Sequence, residues 1–151
     1  MNLCQWSTIA GEMPITRESN PYSDLVEQAE RLALAYIDEP LSISELCRTV
    51  AVSGRTLRKA FSKIRGVSPC RHLRMLRLSH ARRALLSVDY KAVTVTEIAN
   101  DFGFVELGRF SVEYRKAFGE SPSQTLRHAS QTKAATTLSQ LNNSANLAFS
   151  G

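Results

Sequence analysis

Apolar residues recur along this chain at helical spacing, in short runs separated by capping residues, glycines and prolines. Leu25, Ala29, Leu32 and Tyr36, flanked by Val26, Ala33 and Ile37, form one face of a first helix. Its start is expected near Ser23 or Asp24, whose oxygens can accept from the first free amides, and Pro40 stops it. Ser42-Ile-Ser-Glu45 reads as a capping box that opens a short helix to about Val50. A tight turn at Ala51-Val52-Ser53 leads, with Ser53 as cap, into a second helix whose core face is Leu57, Ala60, Phe61 and Ile64. Gly66 stands where a left-handed terminal residue is wanted, and Ser68-Pro69 restarts a long helix over about 69–87.

The pattern then repeats. Thr94-Val-Thr-Glu97 is a second capping box, Ile98, Ala99 and Phe102 give its helix an apolar face, and Gly103-Phe104-Val105 makes a second turn. Phe110, Tyr114, Ala117 and Phe118 form the next core face, Gly119 ends it, and Ser121-Pro122 opens a last helix to about Ala129. Glu45 matches Glu97 at an offset of 52, whereas Phe61/Tyr114, Gly66/Gly119, Pro69/Pro122 and Leu73/Leu126 match at 53. The extra residue falls in the turn, where insertion is cheapest. Two copies of one helix-turn-helix unit with its following helix are implied, in an all-α chain. Residues 1–22 show no strong period and are expected to be a flexible lead-in. Residues 23–129 form the domain. From residue 130 the chain turns to Gln, Ser, Thr, Asn and Ala and is expected to be a disordered tail, with a weak helix around 134–141 as the alternative.

Composition sharpens this picture through the placement of charge. The net charge is only +5, but residues 54–88 carry ten basic groups and no acidic one, while residues 1–50 carry three basic and eight acidic groups. Solvated faces usually mix signs, so this segregation points to a polyanion, namely nucleic acid. Cys4, Cys47 and Cys70 match neither zinc nor CxxC spacing and read as reduced thiols. No signal peptide or membrane-length apolar run is visible, so the expected location is the cytoplasm, without a membrane partner. There is no G-x-S-x-G, P-loop or H-E-x-x-H, and His72, His80 and His128 lack ligand partners at useful spacing. The expectation is a chain that is not an enzyme and uses no cofactor or metal.

With Leu57, Phe61 and Ile64 facing inward, helical geometry puts Arg55, Arg58, Lys59 and Ser62 on the opposite face of the first recognition helix, with Lys63 beside them. Arginine can grip guanine O6 and N7 with two hydrogen bonds, although phosphate contacts are commoner overall. The corresponding positions of the second unit are Gly108, Ser111, Val112 and Arg115, with Leu107 and Arg109 nearby. Leu107 and Val112 could meet thymine methyls, or the second unit could mainly position the first, with Arg109 and Arg115 on phosphates. Ser42, Ser53, Thr94 and Ser121 open helices whose free amides are candidates for further phosphate contacts, although Ser42, Thr94 and Ser121 also read as plain caps. Arg71, Arg74, Arg77, Arg82 and Arg83 cannot all face DNA from one helix, so one or two should pair with acidic neighbours.

Several stretches resemble the DNA-binding domain of the AraC/XylS family of bacterial transcription regulators. They are Leu41-Ser-Ile-Ser-Glu-Leu46, Val52-Ser-Gly-Arg-Thr-Leu57, Phe61, Gly66-Val-Ser-Pro69, Leu78 with Ala81, Thr96-Glu-Ile-Ala99, Gly103-Phe104, Phe110-Ser111 and Phe118-Gly-Glu-Ser-Pro122. The resemblance covers about residues 23–128. It implies two helix-turn-helix subdomains joined by a long linker helix, about seven helices in all. It also places base contact on Arg55, Arg58 and Lys59, and departs from the family habit at Leu107, Gly108 and Val112. The implied partners are double-stranded DNA and RNA polymerase. Relatives often carry a preceding sensor and dimerisation domain, which a lead-in of about 22 residues cannot hold, so a monomer without an effector is expected. A linker helix over 69–87 is roughly 28 Å long at ~1.5 Å per residue, close to the ~34 Å of one DNA turn, so both recognition helices could enter successive major grooves. Two other readings remain: a protein-interaction module that antagonises a longer relative, and non-specific nucleic-acid packaging.

Overall fold

The computed structural model describes residues 20–87 and 93–148, with side chains to residue 137 in the last helix. Among these residues there are seven helices and no strand: α1 (Pro21–Ala35), α2 (Ile43–Thr49), α3 (Gly54–Arg65), α4 (Pro69–Ser87), α5 (Val95–Asp101), α6 (Leu107–Phe118) and α7 (Pro122–Ala148). The flexible lead-in expected before the domain lies outside the described residues as far as residue 19.

Local chemistry accounts for most boundaries. Both capping boxes form: Ser42 Oγ accepts from the Glu45 amide at 3.2 Å while the Glu45 carboxylate accepts from the Ser42 amide at 2.8 Å, and Thr94 and Glu97 do the same at 3.2 and 2.7 Å. Those hydrogen bonds hold the Glu45 carboxyl below its ordinary pKa, the Ser42 hydroxyl contributing most; at Glu97 the Thr94 backbone leads. Gly66 and Gly119 close α3 and α6 at φ +70° and +75°.

Two boundaries differ from the sequence expectation. The first helix starts at Pro21, not at Ser23 or Asp24, because Asn20 Oδ1 accepts from the Tyr22 amide at 3.1 Å and Pro21 supplies a first-turn residue that needs no hydrogen-bond partner. The last helix does not end near Ala129; it runs through the expected tail to Ala148. No glycine or proline interrupts residues 123–148. Thr132, Thr136 and Thr137 turn their hydroxyls back onto carbonyls four residues earlier, and the Lys133 ammonium donates to the Ser87 carbonyl at the end of α4.

Two cores form around one helix. Val26, Ala29, Leu46, Val50, Leu57, Ala60, Phe61 and Leu73 fill the first, so α1, α2, α3 and the N-terminal part of α4 close on one another. Leu78, Ala81, Leu85, Ile98, Ala99, Phe104, Phe110, Tyr114 and Leu126 fill the second, from the remainder of α4 and from α5, α6 and α7. In the second core the buried Tyr114 hydroxyl donates to Thr125 Oγ1 at 2.9 Å, and Thr125 in turn donates to Glu120 at 2.8 Å, where Arg82 also binds. Thus α4 is apolar on two sides and belongs to both units.

Candidate nucleic-acid interface

Leu57, Ala60 and Phe61 pin one side of α3 into the first core, and this fixes what the helix shows outward. Arg55, Arg58, Lys59, Ser62 and Lys63 are all exposed, so the sequence-predicted residues of the first unit share one outer surface. Ser53 caps the helix, accepting from the Thr56 amide at 3.1 Å. The Arg58 guanidinium folds toward the helix start beside Gly54, where an added Cβ would lie 3.4 Å from it. Lys59 and Lys63 sit over the Tyr22 ring, at 5.9 and 5.3 Å from its centre, a brace from α1 that sequence spacing did not reveal. Arg65, the last residue of α3, is committed elsewhere: its guanidinium makes two bonds to Glu30 at 2.8 and 2.9 Å. His72 Nε2 lies 2.7 Å from the same carboxylate.

The second unit presents a different surface. Phe110 and Tyr114 are buried, leaving Leu107, Gly108, Val112 and Arg115 exposed and Ser111 half-buried. Val112 is 54% exposed and Val105, just before the helix, 88%, so this surface is apolar where that of α3 is cationic. Arg109 is exposed, but its Nε donates to Glu113 at 3.0 Å, and Glu113 also accepts from Arg74 of α4. The phosphate role expected for Arg109 therefore competes with an ion pair. Burial would raise the Glu113 pKa, but the hydrogen bonds from Arg74 and Arg109 outweigh it and hold the carboxyl below its ordinary value. Ser42 and Thr94 spend hydroxyl and amide inside their capping boxes, next to a carboxylate, which opposes an approaching phosphate.

The five arginines of α4 separate cleanly. Arg74 pairs with Glu113 and Arg82 with Glu120, the latter at 2.9 Å. Arg77 lies 5.2 Å from the Phe104 ring centre and donates to the Gly103 carbonyl at 3.5 Å; burial first, then the Arg74 charge, lowers its pKa. Arg71 and Arg83 are exposed.

A second contact joins the units directly. Gly103, in the turn between α5 and α6, has φ +70°, and a Cβ built there would lie 2.6 Å from Pro40 Cγ and Cδ and 2.9 Å from the Ile37 carbonyl oxygen. The turn of the second unit therefore presses on the connection between α1 and α2. The two outer surfaces are spaced by this contact and by the Arg74–Glu113 pair as well as by α4. Among the described residues no cluster of metal-ligating side chains occurs, and no helix is long and apolar enough to cross a membrane.

Comparison with known proteins agrees with this architecture. A family profile described as a helix-turn-helix domain matches residues 46–128. The probable thc operon regulatory protein of Rhodococcus erythropolis is 42% identical over 101 residues, which is 64% of this chain and 30% of that protein. The XylDLEGF operon transcriptional activator 2 of Pseudomonas putida is 34% identical over 113 residues, 72% of this chain and 68% of that protein. The chain thus spans under a third of the Rhodococcus relative. Among solved structures, a transcriptional regulator with an AraC-type DNA-binding domain from Chromobacterium violaceum superposes with a TM-score of 0.66 at 30% identity, over 74% of this chain and 98% of that one. The DNA-binding domain of AdpA, solved in complex with a target DNA, superposes with a TM-score of 0.61 at 25% identity, over 78% of this chain and 96% of that one. With two capped helix-turn-helix units threaded on one shared helix, this chain belongs to the AraC/XylS family of helix-turn-helix proteins.

Proposed function

We propose that the chain is a sequence-specific DNA-binding transcription regulator that lays α3 and α6 into successive major grooves of one duplex. The observation that carries this reading is the outer surface of α3, where Arg55, Arg58, Lys59, Ser62 and Lys63 are exposed together without an acidic partner among the described residues. Arg55, Arg58 and Lys59 read bases, Arg58 gripping guanine from its position beside Gly54, while Ser62 and Lys63 meet the backbone. On α6, Leu107 and Val112 meet thymine methyls, Gly108 lets the backbone approach closely, Ser111 bonds at the groove edge, and Arg115 holds phosphate. Arg109 joins it only if DNA draws it from Glu113, while Ser42 and Thr94 serve as caps. That the similarly folded DNA-binding domain of AdpA was solved in complex with a target DNA supports duplex DNA as the partner.

The chain works by binding rather than catalysis, in the cytoplasm, as a monomer unless a further domain dimerises it, and touches RNA polymerase from a promoter-bound position. Selection of bound sites from random duplexes tests the reading. A motif in two parts about one helical turn apart is expected. The Arg58→Ala variant should lose about 1–3 kcal/mol of preference at one base step and keep it elsewhere. Equal enrichment of all sequences refutes the proposal. The exposed Val105, Leu107 and Val112 favour one other reading, a protein-docking second unit; on that reading Val112→Ser leaves the selected DNA motif unchanged.

A further inference from the structure

A groove of about 500 Å³ opens between α4 and α6, away from the surfaces just described. Its walls are Val67, Met75, Leu78 and Ala117, and Met75 is 38% exposed although it is large and apolar. Its rim is cationic: Arg71 and Arg74 from α4 and Lys116 from α6 face a single carboxylate, Glu113. Arg74 is already paired with Glu113, whereas the side chains of Arg71 and Lys116 have no partner among the described residues. On α6, Glu113, Lys116 and Ala117 centre about 140° round the helix from Gly108, Ser111, Val112 and Arg115, at ~100° per residue. Base reading and this groove therefore use different sides of α6.

We propose that this groove binds a small organic acid, an apolar ring or chain bearing one carboxylate. The volume lies in the range of small-molecule sites, roughly 300–1,000 Å³, and apolar walls with a few convergent charged groups are their usual composition. The apolar body lies against Met75, Leu78 and Ala117, and the carboxylate reaches Arg71 and Lys116, one cation from each unit's side of the groove. A DNA phosphate does not suit the place, since it would leave the apolar wall facing a hydrated anion. An uncharged hydrocarbon would bury the wall but leave both cations unpaired. The inference stands apart from DNA reading and does not depend on it.

Methyl-labelled full-length chain titrated with sodium 1-naphthoate tests the proposal. Saturable shifts at the Met75 and Ala117 methyl groups are expected, with about tenfold weaker binding of the uncharged 1-naphthamide and no saturation by acetate. The Arg71→Gln/Lys116→Gln double variant should weaken naphthoate binding at least tenfold with its thermal midpoint unchanged, because both side chains are exposed. Met75→Gln should weaken it through the wall instead of the charge. No saturation with naphthoate, equal binding of the amide, an unaffected double variant, or shifts confined to Leu107 and Val112 would each overturn the proposal.

Discussion

Replacing Gly103 with alanine isolates the contact between the two units. Gly66, Gly103 and Gly119 share nearly the same left-handed backbone, with φ of +70°, +70° and +75°. A side chain at any of them costs about 1–2 kcal/mol of backbone strain. Around Gly66 and Gly119 nothing lies within 4 Å of an added Cβ, so their alanine variants should lose only that amount. At Gly103 the new methyl would meet Pro40 at 2.6 Å and the Ile37 carbonyl at 2.9 Å, which forces the units apart. Overpacking of this kind adds about 1–3 kcal/mol, for a total of about 2–5 kcal/mol. The lower entropy of the unfolded alanine chain affects all three variants alike and cancels in the comparison. Urea unfolding with constant m-values reads the differences directly. In a Pro40→Ala background part of the excess at Gly103 should disappear, because the ring atoms are gone while the Ile37 carbonyl remains. If Gly103→Ala costs the same as Gly66→Ala to within about 0.5 kcal/mol, the units do not touch as described.

Thr125→Val leaves the buried Tyr114 hydroxyl without an acceptor and should cost about 1–3 kcal/mol in thermal unfolding, whereas Tyr114→Phe, which leaves Thr125 bonded to Glu120, should cost about 1. Glu113 has a folded pKa below its ordinary 4.5, so its pairing stabilises the chain above that value and the stabilisation is lost as pH falls through the lowered one. Urea midpoints of Glu113→Gln should accordingly fall less than those of the parent between pH 5 and pH 3, by about 1 kcal/mol or less of stability. Arg115→Ala should lower DNA affinity evenly across sequences and reduce the salt slope by about one, as measured by fluorescence anisotropy. Ala51→Gly should stabilise the chain by up to about 1 kcal/mol in the same unfolding assay, because Ala51 holds φ +55° at the place in the first turn that Gly103 fills in the second.

That last pair shows why much of this fold was legible in sequence. Capping boxes, left-handed glycines and Ser-Pro restarts act over three or four residues, so Glu45, Gly66, Pro69 and their repeats announce the elements without tertiary help. The outward set on α3 was readable for the same reason, since Leu57 and Phe61 fix it by periodicity. What stayed hidden depends on distant partners. Glu113 lies 39 residues from Arg74, and Glu30 lies 35 from Arg65, so no local pattern distinguishes these paired arginines from exposed Arg55. Arg109 is different: its partner Glu113 stands only four residues on, an i,i+4 spacing that the sequence does display. The long α7 was missed differently: its polar composition resembles a tail, yet it contains nothing that breaks a helix, and Lys133 ties it to α4.

The sharing of α4 between two cores sets how this architecture can change. Adding one residue within that helix would advance everything beyond it by about 1.5 Å and swing it by about 100°. Placed between Arg74 and Leu78, it would carry the whole second core round with it, break the Arg74–Glu113 pair and the Gly103 contact with Pro40, and turn the outer surface of α6 away from that of α3. The turn before α6 already holds one residue more than its counterpart, because a turn at the surface can bulge while the helices on either side keep their places. Descendants of such a chain can therefore exchange exposed side chains and lengthen their turns, but the spacing between the outer surfaces of α3 and α6 is locked to a whole number of residues that none can alter singly.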